Sequence, residues 1–190
     1  VYGDFLHVKY YVLMSLQVKI IGSSHAGANV AYNLRRDGFE GDIEIISTES
    51  FPPYHRPPLS KDFLKGKTEK EKLTFKPEAF YADNQITLTL DTEVLSIDRA
   101  AKTIETLEGT SAYDFLVLCT GSSPRKLNLD NADLPEVLYL RDLQDAETIK
   151  AKLADASHIT LLGGGYIGLE LASAIRELDI EVCILELEDR

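Results

Sequence analysis

A glycine-rich loop followed by a later acidic residue is the clearest chemical signal in the sequence. The run Gly163-Gly164-Gly165-Tyr166-Ile167-Gly168 has the spacing GxGxxG, and Glu186 follows it. In such a loop Gly163 would make a tight turn, Gly165 would let a pyrophosphate approach the backbone, and Gly168 would let a helix pack on a strand. Free amides at the start of that helix would attract the phosphates. The loop therefore predicts a dinucleotide site.

Glu186 indicates which dinucleotide to expect. It stands at the end of the next apolar run. A carboxylate there can accept hydrogen bonds from ribose hydroxyls and would repel a 2′-phosphate, which favours NADH over NADPH. The alternative is a glycine-rich turn followed by an unrelated surface glutamate.

An earlier loop departs from the rule at one position. Gly22-Ser23-Ser24-His25-Ala26-Gly27 has Ser24 where the middle glycine belongs, and Glu49 is its candidate ribose acceptor. Serine is small and can hydrogen-bond a phosphate, but it crowds the closest approach to the backbone. His25 is expected to pack or to start a helix rather than to act as a catalytic base.

Each loop is expected to join a strand to a helix, so the chain has two similar βαβ openings. The first has strands at 18–21 and 43–46 around a helix that ends at Gly38. The second has strands at 159–162 and 182–185 around a helix with one apolar face, formed by Ile167, Leu171, Ala174, Ile175 and Leu178. Apolar strands of this kind predict parallel sheets buried on both faces.

The segment between the two openings has a different pattern. Residues 51–58 carry four prolines and are expected to form a loop. Alternating runs at 86–90, 93–97 and 103–107 predict antiparallel strands, with a turn at Glu108-Gly109.

Three further elements are expected after this segment. The pattern predicts an apolar strand at 113–118 that ends at Cys119-Thr120-Gly121. A linker at 122–141 would then lead to a helix at 143–153, for which Asp142 is the candidate N-cap.

These elements define the expected fold class. It is α/β, with two tandem Rossmann-like dinucleotide-binding domains, parallel sheets and a small antiparallel insert. Residues 14–123 would form the first segment of the first domain, and 124–190 a linker and the start of a truncated second domain. Residues 1–13 are expected to be an upstream or non-native extension, because Met14 is the only methionine and precedes the first strand.

Composition narrows the classes of partner. The 190-residue chain has 31 acidic and 20 basic residues and a net charge of −11, which argues against nucleic acid or an anionic membrane. No apolar stretch is long enough to cross a bilayer, and we expect a cytoplasmic protein. Cys119 and Cys183 lie in apolar runs and are expected to be buried, reduced thiols. No metal-ligand spacing is present.

Three longer motifs resemble one family, and the resemblance covers residues 14–190. The motifs are Pro53-Tyr54-His55-Arg56-Pro57-Pro58-Leu59-Ser60-Lys61, Tyr113-Asp114-Phe115-Leu116-Val117-Leu118-Cys119-Thr120-Gly121 and Gly163-Gly164-Gly165-Tyr166-Ile167-Gly168-Leu169-Glu170. They resemble the FAD-dependent pyridine nucleotide-disulfide oxidoreductase superfamily, in the branch of ferredoxin, putidaredoxin and rubredoxin reductases. The serine in the first loop looks like a variant that this branch also uses.

The resemblance implies that the first loop binds FAD and the second binds NADH. Arg56 would lie near the FAD phosphates, Lys61 near the isoalloxazine, Val94 at the adenine, and Thr120-Gly121 over the far side of the flavin. The implied FAD contacts are Gly22, Ser24, His25, Ala26, Gly27, Glu49, Arg56, Lys61, Val94, Cys119, Thr120 and Gly121. The implied NADH contacts are Gly163, Gly165, Tyr166, Ile167, Gly168, Glu170 and Glu186.

Lys61 and Glu170 are the implied catalytic residues. Buried beside a flavin, they are expected to pair, because an isolated buried charge is costly. Lys61 near flavin N5 would stabilise the anion that forms when hydride arrives. From the residues alone, the simpler alternatives are a solvated lysine of a short helix and an exposed helical acid.

The function implied is that of an NADH-dependent flavoprotein reductase. Residues 50–65 lack the CxxxxC pair of related disulfide reductases, so electrons would pass directly from the flavin to an outside acceptor, for which the resemblance implies a small iron–sulfur or rubredoxin-type carrier. Monodehydroascorbate reductase, or the NADH-binding part of a nitrite reductase, would look similar over this stretch. A non-catalytic FAD- and NADH-binding protein of the apoptosis-inducing-factor type is the alternative from another class.

We expect the chain to be the first half of such a protein, ending inside its NADH domain. An FAD domain without a returning segment leaves a sheet edge and apolar faces uncovered. Residues 1–190 alone are therefore expected to bind FAD weakly, to associate, and to lack physiological activity.

Overall fold

The computed structural model describes residues 16–189, which cluster into two compact units. Unit 1 comprises the described residues up to Tyr54 together with Thr74–Gly121, and unit 2 comprises His55–Leu73 together with residues 122–189. The expected extension at 1–13 and Met14 lie outside the described residues. The domain boundary between 123 and 124 remains a prediction, and the structure groups residues 55–73 with the later segment.

Unit 1 is built around one parallel sheet. Its elements are β1 (Gln17–Ile21), α1 (His25–Arg36), β2 (Asp42–Ile46), α2 (Glu78–Asp83), β3 (Ile86–Thr89), β4 (Ser96–Asp98), β5 (Thr103–Thr106), β6 (Gly109–Ala112) and β7 (Phe115–Leu118). The parallel sheet has the order β3-β2-β1-β7, and β4-β5-β6 form an antiparallel sheet. With that insert set aside, the strand order matches one half of a doubly wound dinucleotide-binding fold.

The prediction of an antiparallel strand at 86–90 is wrong. β3 runs parallel to β2, with Ile86 opposite Ile43. Ile86 and Leu88 belong to the core of unit 1. An edge strand of a parallel sheet with one covered face shows the same alternation as an antiparallel strand.

The antiparallel insert itself is confirmed. β4 and β5 lie close to the predicted runs at 93–97 and 103–107, and the turn falls at residues 107–108. β6 was not predicted, because its sequence Gly-Thr-Ser-Ala has no apolar alternation.

The core of unit 1 lies between the sheet and its helices. Ala31, on the inner face of α1, is fully buried, and Gly38 ends the helix with a φ of +87°. The buried residues of this core are Val18, Ile20, Ala31, Ile43, Ile45, Tyr81 and Ile86.

A part-buried ion pair departs from the expectation of apolar strands. Lys19 on β1 pairs with Glu44, which lies directly opposite on β2. Glu44 also accepts a hydrogen bond of 2.6 Å from Thr89 on β3. Side chains therefore link three neighbouring strands, and the buried ammonium of Lys19 has a partly exposed carboxylate as its partner.

Unit 2 contains the second βαβ opening, as predicted. Its elements are the 3-10 helices Pro57–Ser60 and Lys70–Leu73, then α3 (Leu143–Leu153), β8 (His158–Leu162), α4 (Tyr166–Arg176) and β9 (Glu181–Leu185). β8 and β9 pair in parallel, with Ile159 opposite Val182. The buried core residues are Leu64, Leu153, Ala174, Ile175 and Ile180.

The buried face of α4 is narrower than predicted. Leu171, Ala174 and Ile175 pack in the core, whereas Ile167 and Leu178 are 59% and 38% exposed. Ile167 lies in the first turn of α4, and Leu178 follows the last helical residue. The helical period therefore places only the middle of the predicted face over the sheet.

The cysteines are free thiols, but only one is shielded. Cys119 is half-buried, and burial raises its pKa. Cys183 is exposed, so its predicted burial is wrong. Neighbouring strand residues point to opposite faces, and on β9 it is Val182 that packs against the core.

α3 begins where the sequence predicts. Asp142 accepts a hydrogen bond of 2.9 Å from the amide of Asp145, and the Asp145 carboxylate accepts one of 3.3 Å from the amide of Asp142. This reciprocal pair is a capping box. Within residues 16–189, no helix combines the length and the apolar content that a bilayer span requires.

Candidate functional site

The first glycine loop joins β1 to α1 in a turn that excludes side chains. Gly22 has a φ of +108°, and its amide donates to the carbonyl of Ile46 at 2.8 Å. A Cβ on Gly22 would lie 2.2 Å from the carbonyl oxygen of Cys119, and one on Gly27 would lie 1.9 Å from that of Gly22. Glycine is required at both positions by the close approach of backbone to backbone.

The second loop joins β8 to α4 and repeats this geometry in unit 2. Gly163 has a φ of +104°, and its amide donates to the carbonyl of Leu185 at 2.8 Å. A Cβ on Gly168 would lie 2.1 Å from the carbonyl oxygen of Gly163. Two segments with different sequences therefore form the same turn between strand and helix.

Ser24 and Gly165 occupy equivalent positions as the N-caps of α1 and α4. Their φ and ψ angles are −81° and −165° for Ser24, and −71° and −179° for Gly165. These are extended conformations that any residue adopts. A Cβ on Gly165 would meet nothing within 4 Å. The serine in the first loop is therefore compatible with the turn, since the fold requires no glycine there.

Each of the acidic residues that follow the two loops accepts a hydrogen bond at its carboxylate. Glu186 accepts a hydrogen bond of 2.7 Å from the amide of Gly164, inside its own loop. Glu49 accepts one of 2.6 Å from the hydroxyl of Tyr54. Each carboxylate is thus fixed near the carboxyl end of its sheet, where ligands bind in open α/β folds.

A buried serine pair lies between the first loop and the end of β2. The Ser23 hydroxyl donates to the Ser47 hydroxyl at 2.7 Å, and both residues are buried. The Ser47 hydroxyl in turn accepts from the amide of Glu49 at 3.2 Å. Sequence reasoning missed Ser47 and Tyr54, although Tyr54 lies within a quoted motif.

His25 has the structural role predicted for it. It is the first residue of α1, and its ring meets the ring of Phe75 edge-on, with centroids 4.3 Å apart. Ala26 is exposed in the same first turn.

Lys61 and Glu170 come together in unit 2, as predicted. The Lys61 ammonium lies 3.2 Å from Glu170 Oε1, and the Ser60 hydroxyl donates to Glu170 Oε2 at 2.9 Å. The Ser60 hydrogen bond, followed by the one from Lys61, lowers the pKa of Glu170. Glu170 is therefore ionised at neutral pH.

The burial expected for Lys61 and Glu170 beside a flavin remains a prediction. Their side chains are 49% and 40% exposed, and they line an open cleft of about 500 Å³. Neighbouring cleft residues include Leu169 and the exposed ring of Tyr166. A cation and an apolar surface therefore face the same space.

A second set of charges forms the other end of this cleft. Glu177 accepts hydrogen bonds from Lys65 at 3.0 Å and from Lys67 at 2.9 Å. The two lysines lower the pKa of Glu177. The segment that carries Lys61 is thus tied to α4 at two places along the helix.

The other predicted FAD residues lie on separate loops. In unit 1, Val94 is half-buried, and Thr120 and Gly121 are exposed just after β7. In unit 2, Arg56 donates to the carbonyl of Arg141 at 2.9 Å. The contact of these residues with a ligand remains a prediction.

The fold and the repeated loops define a class, that of α/β proteins built on dinucleotide-binding βαβ units. Within that class the chain belongs to the pyridine nucleotide-disulphide oxidoreductase family, whose sequence model matches residues 16–190.

Known reductases are similar to this chain in sequence and structure. A rubredoxin-NAD(+) reductase from Pseudomonas putida is 40% identical over 176 residues, which cover 92% of this chain and 46% of the relative. The solved structure of a ferredoxin reductase from Rhodopseudomonas palustris matches with a TM-score of 0.88 and 40% identity, over 92% of this chain and 43% of that one.

A third similar structure holds a reductase with its redox partner. It is the covalent putidaredoxin reductase–putidaredoxin complex, with a TM-score of 0.83 and 37% identity over 88% of this chain and 41% of that chain. The chain spans less than half the length of the relatives it matches.

Proposed function

We propose that this chain is the nucleotide-binding part of an NADH-dependent FAD reductase that delivers electrons to a small iron–sulfur or rubredoxin-type carrier. The observation that carries the proposal is the repeated loop, which gives each unit its own dinucleotide turn. The family and the reductase relatives support the same reading. The putidaredoxin complex supports a protein carrier as the acceptor, since that relative was captured with one.

The residues of the first loop fit the FAD pyrophosphate. A pyrophosphate needs bare backbone at the turn and a helix start that faces it. Gly22 and Gly27 leave no room for a Cβ, and α1 starts directly after Ser24. We assign the adenosine ribose to Glu49. The remaining FAD contacts proposed are His25, Ala26, Arg56, Lys61, Val94, Cys119, Thr120 and Gly121.

The second loop fits NADH in the same way. Gly165 presents open backbone at the start of α4, and Glu186 supplies a carboxylate that favours a ribose hydroxyl over a 2′-phosphate. Gly163 and Gly168 shape the turn, and the exposed side chains of Tyr166 and Ile167 offer apolar surface beside it.

FAD, when bound, takes a hydride from NADH and gives up electrons one at a time. The chain supplies orientation and charge. Ser60 holds the Glu170 carboxylate, which pairs with the ammonium of Lys61 in the cleft, where a fixed cation stabilises negative charge that develops beside it. Because residues 50–65 contain no cysteine, no disulfide in that segment relays electrons, and the acceptor is an outside protein.

We assign the protein to the cytoplasm. Both cysteines are free thiols, in keeping with a reducing compartment.

The test is electron delivery by the full-length protein loaded with FAD. We expect NADH, and much less NADPH, to drive reduction of an iron–sulfur or rubredoxin-type carrier. Glu186→Ala should reduce the ratio of the rate with NADH to the rate with NADPH. Glu188→Ala, at an exposed position nearby, should leave this ratio unchanged.

Ferricyanide separates the possible failures. If ferricyanide is reduced rapidly but neither carrier is, the carrier assignment is wrong. If flavin reduction is slow and yields a long-lived complex with NAD, the protein is a binding protein rather than a reductase.

A further inference from the structure

The Tyr54 hydroxyl is a buried donor aimed at a functional carboxylate. The tyrosine is 2% exposed, and its hydroxyl donates to Glu49 Oε2 at 2.6 Å. Hydrogen bonds from hydroxyls to carboxylates are short and stronger than those between neutral groups. This one joins the start of the motif Pro53–Lys61 to the acid that follows β2.

The ring of Tyr54 is held independently of this bond. Its backbone forms a bridge with Thr74, and its ring meets that of Phe51 edge-on at a centroid distance of 6.0 Å. A fixed tyrosine ring carries its hydroxyl at a fixed point, so little conformational freedom is lost when the bond forms.

The backbone of Glu49 is held by a second hydrogen bond, which does not involve Tyr54. Its amide donates to the Ser47 hydroxyl, which also accepts from Ser23 within the first glycine loop. The acid is therefore linked at its backbone to the loop and at its carboxylate to Tyr54.

We propose that Tyr54 is a positioning residue that sets the Glu49 carboxylate for the 2′-hydroxyl of the FAD adenosine ribose. The inference rests on the proposed function, in which the first loop holds FAD.

The experiment compares two ligands that differ by one hydroxyl. The dissociation constants of FAD and of FAD lacking the adenosine 2′-hydroxyl are measured with the full-length apoprotein. In the wild type, FAD should bind more tightly. Tyr54→Phe should weaken FAD binding roughly tenfold, as expected for loss of one hydrogen bond to a charged group, and should barely change binding of the deoxy analogue.

Two further variants make the comparison specific. Tyr81→Phe is the matched control, because Tyr81 is also buried in unit 1 and none of the described residues hydrogen-bonds its hydroxyl. It should leave the affinities for FAD and for the deoxy analogue unchanged.

Glu49→Gln should reduce the factor by which FAD binds more tightly than the deoxy analogue. The double variant Glu49→Gln/Tyr54→Phe should reduce that factor no further.

The outcomes separate this inference from the proposed function. If the wild type binds neither compound, the proposed function is overturned. If the wild type binds FAD, but Tyr54→Phe weakens both compounds equally or changes neither, the positioning role alone is overturned. Binding of the deoxy analogue shows directly that the variant is folded.

Discussion

At the residue scale, the second loop contains one glycine that the fold requires and one that it does not. A Cβ on Gly168 would lie 2.1 Å from a backbone oxygen, whereas one on Gly165 would meet nothing within 4 Å. Close approach of a ligand to the backbone accounts for a glycine at 165, which is also the N-cap of α4, where glycine is common. Structure and ligand binding can therefore be separated by two alanine substitutions in one loop.

We expect Gly168→Ala to lower the free energy of unfolding by at least about 2 kcal/mol, because overpacking against backbone cannot relax easily. Gly165→Ala should change it by at most about 1 kcal/mol, the usual range for an N-cap position. It should nevertheless weaken NADH binding roughly tenfold or more, since its methyl group would meet the pyrophosphate. Denaturant unfolding and NADH titration of the full-length protein measure the two effects. Unchanged NADH affinity in Gly165→Ala would contradict the assignment of this loop.

Tyr81 gives a pH-dependent prediction at the same scale. Burial raises the pKa of Tyr81 from 10.0 to about 12. A group whose pKa is raised by folding stabilises the folded state fully below its unfolded pKa, and this contribution is lost as pH rises toward the folded value.

The wild type should therefore lose stability relative to Tyr81→Phe between pH 10 and about 12. At neutral pH the variant should be as stable or up to about 1 kcal/mol more stable, because it removes a buried hydroxyl that none of the described residues hydrogen-bonds. Thermal unfolding of both proteins across this pH range checks the prediction. If the stability of the two proteins changes with pH in the same way, the Tyr81 hydroxyl is solvated and the prediction is wrong.

The chemically distinctive residues were largely predictable from the sequence, whereas their partners were not. The spacing of the glycines predicted both turns, and the pairing of Lys61 with Glu170 was expected from the positions that the family resemblance implies for them. The contact of Glu49 with Tyr54 depends on how a proline-rich loop folds back beside β2, which no local pattern encodes. The exposure of Lys61 and Glu170 likewise depends on what surrounds them in three dimensions.

At the element scale, local signals predicted helices better than strand direction. α3 starts and ends at the predicted residues because a capping side chain and a helical period act over neighbouring positions. β3 was assigned to the wrong sheet, because alternation reveals a half-covered strand but not its partner. Cys183 was predicted to be buried from an apolar run, although only alternate residues of that strand face the core.

The capping box of α3 can be tested directly. Asp142→Ala removes the acceptor for the amide of Asp145 and should cost about 1 kcal/mol of stability. Gln144→Ala, at an exposed position of the same helix, should change stability by less than about 0.5 kcal/mol. Chemical denaturation compares the two variants. Equal effects would mean that the cap contributes no more than an ordinary surface residue.

At the scale of the whole molecule, each of the two units carries one copy of the same turn. In both turns the first glycine, Gly22 or Gly163, has a positive φ angle and donates its amide to the end of the next strand. In both turns the last glycine, Gly27 or Gly168, packs against the carbonyl oxygen of the first. Such a pair of turns suits a protein that brings two dinucleotides together. The chain spans less than half the length of its reductase relatives, so the activity of the full-length protein is the decisive test.

An anaerobic titration of the FAD-loaded full-length protein with NADH, followed by the visible absorption of the flavin, tests the central claim most directly. We predict that about one equivalent of NADH bleaches the flavin, because the hydride carries both electrons that FAD accepts. NADPH at the same concentration should bleach it far more slowly. A flavin that keeps its absorption in excess NADH would contradict the proposal that this chain serves an NADH-dependent reductase.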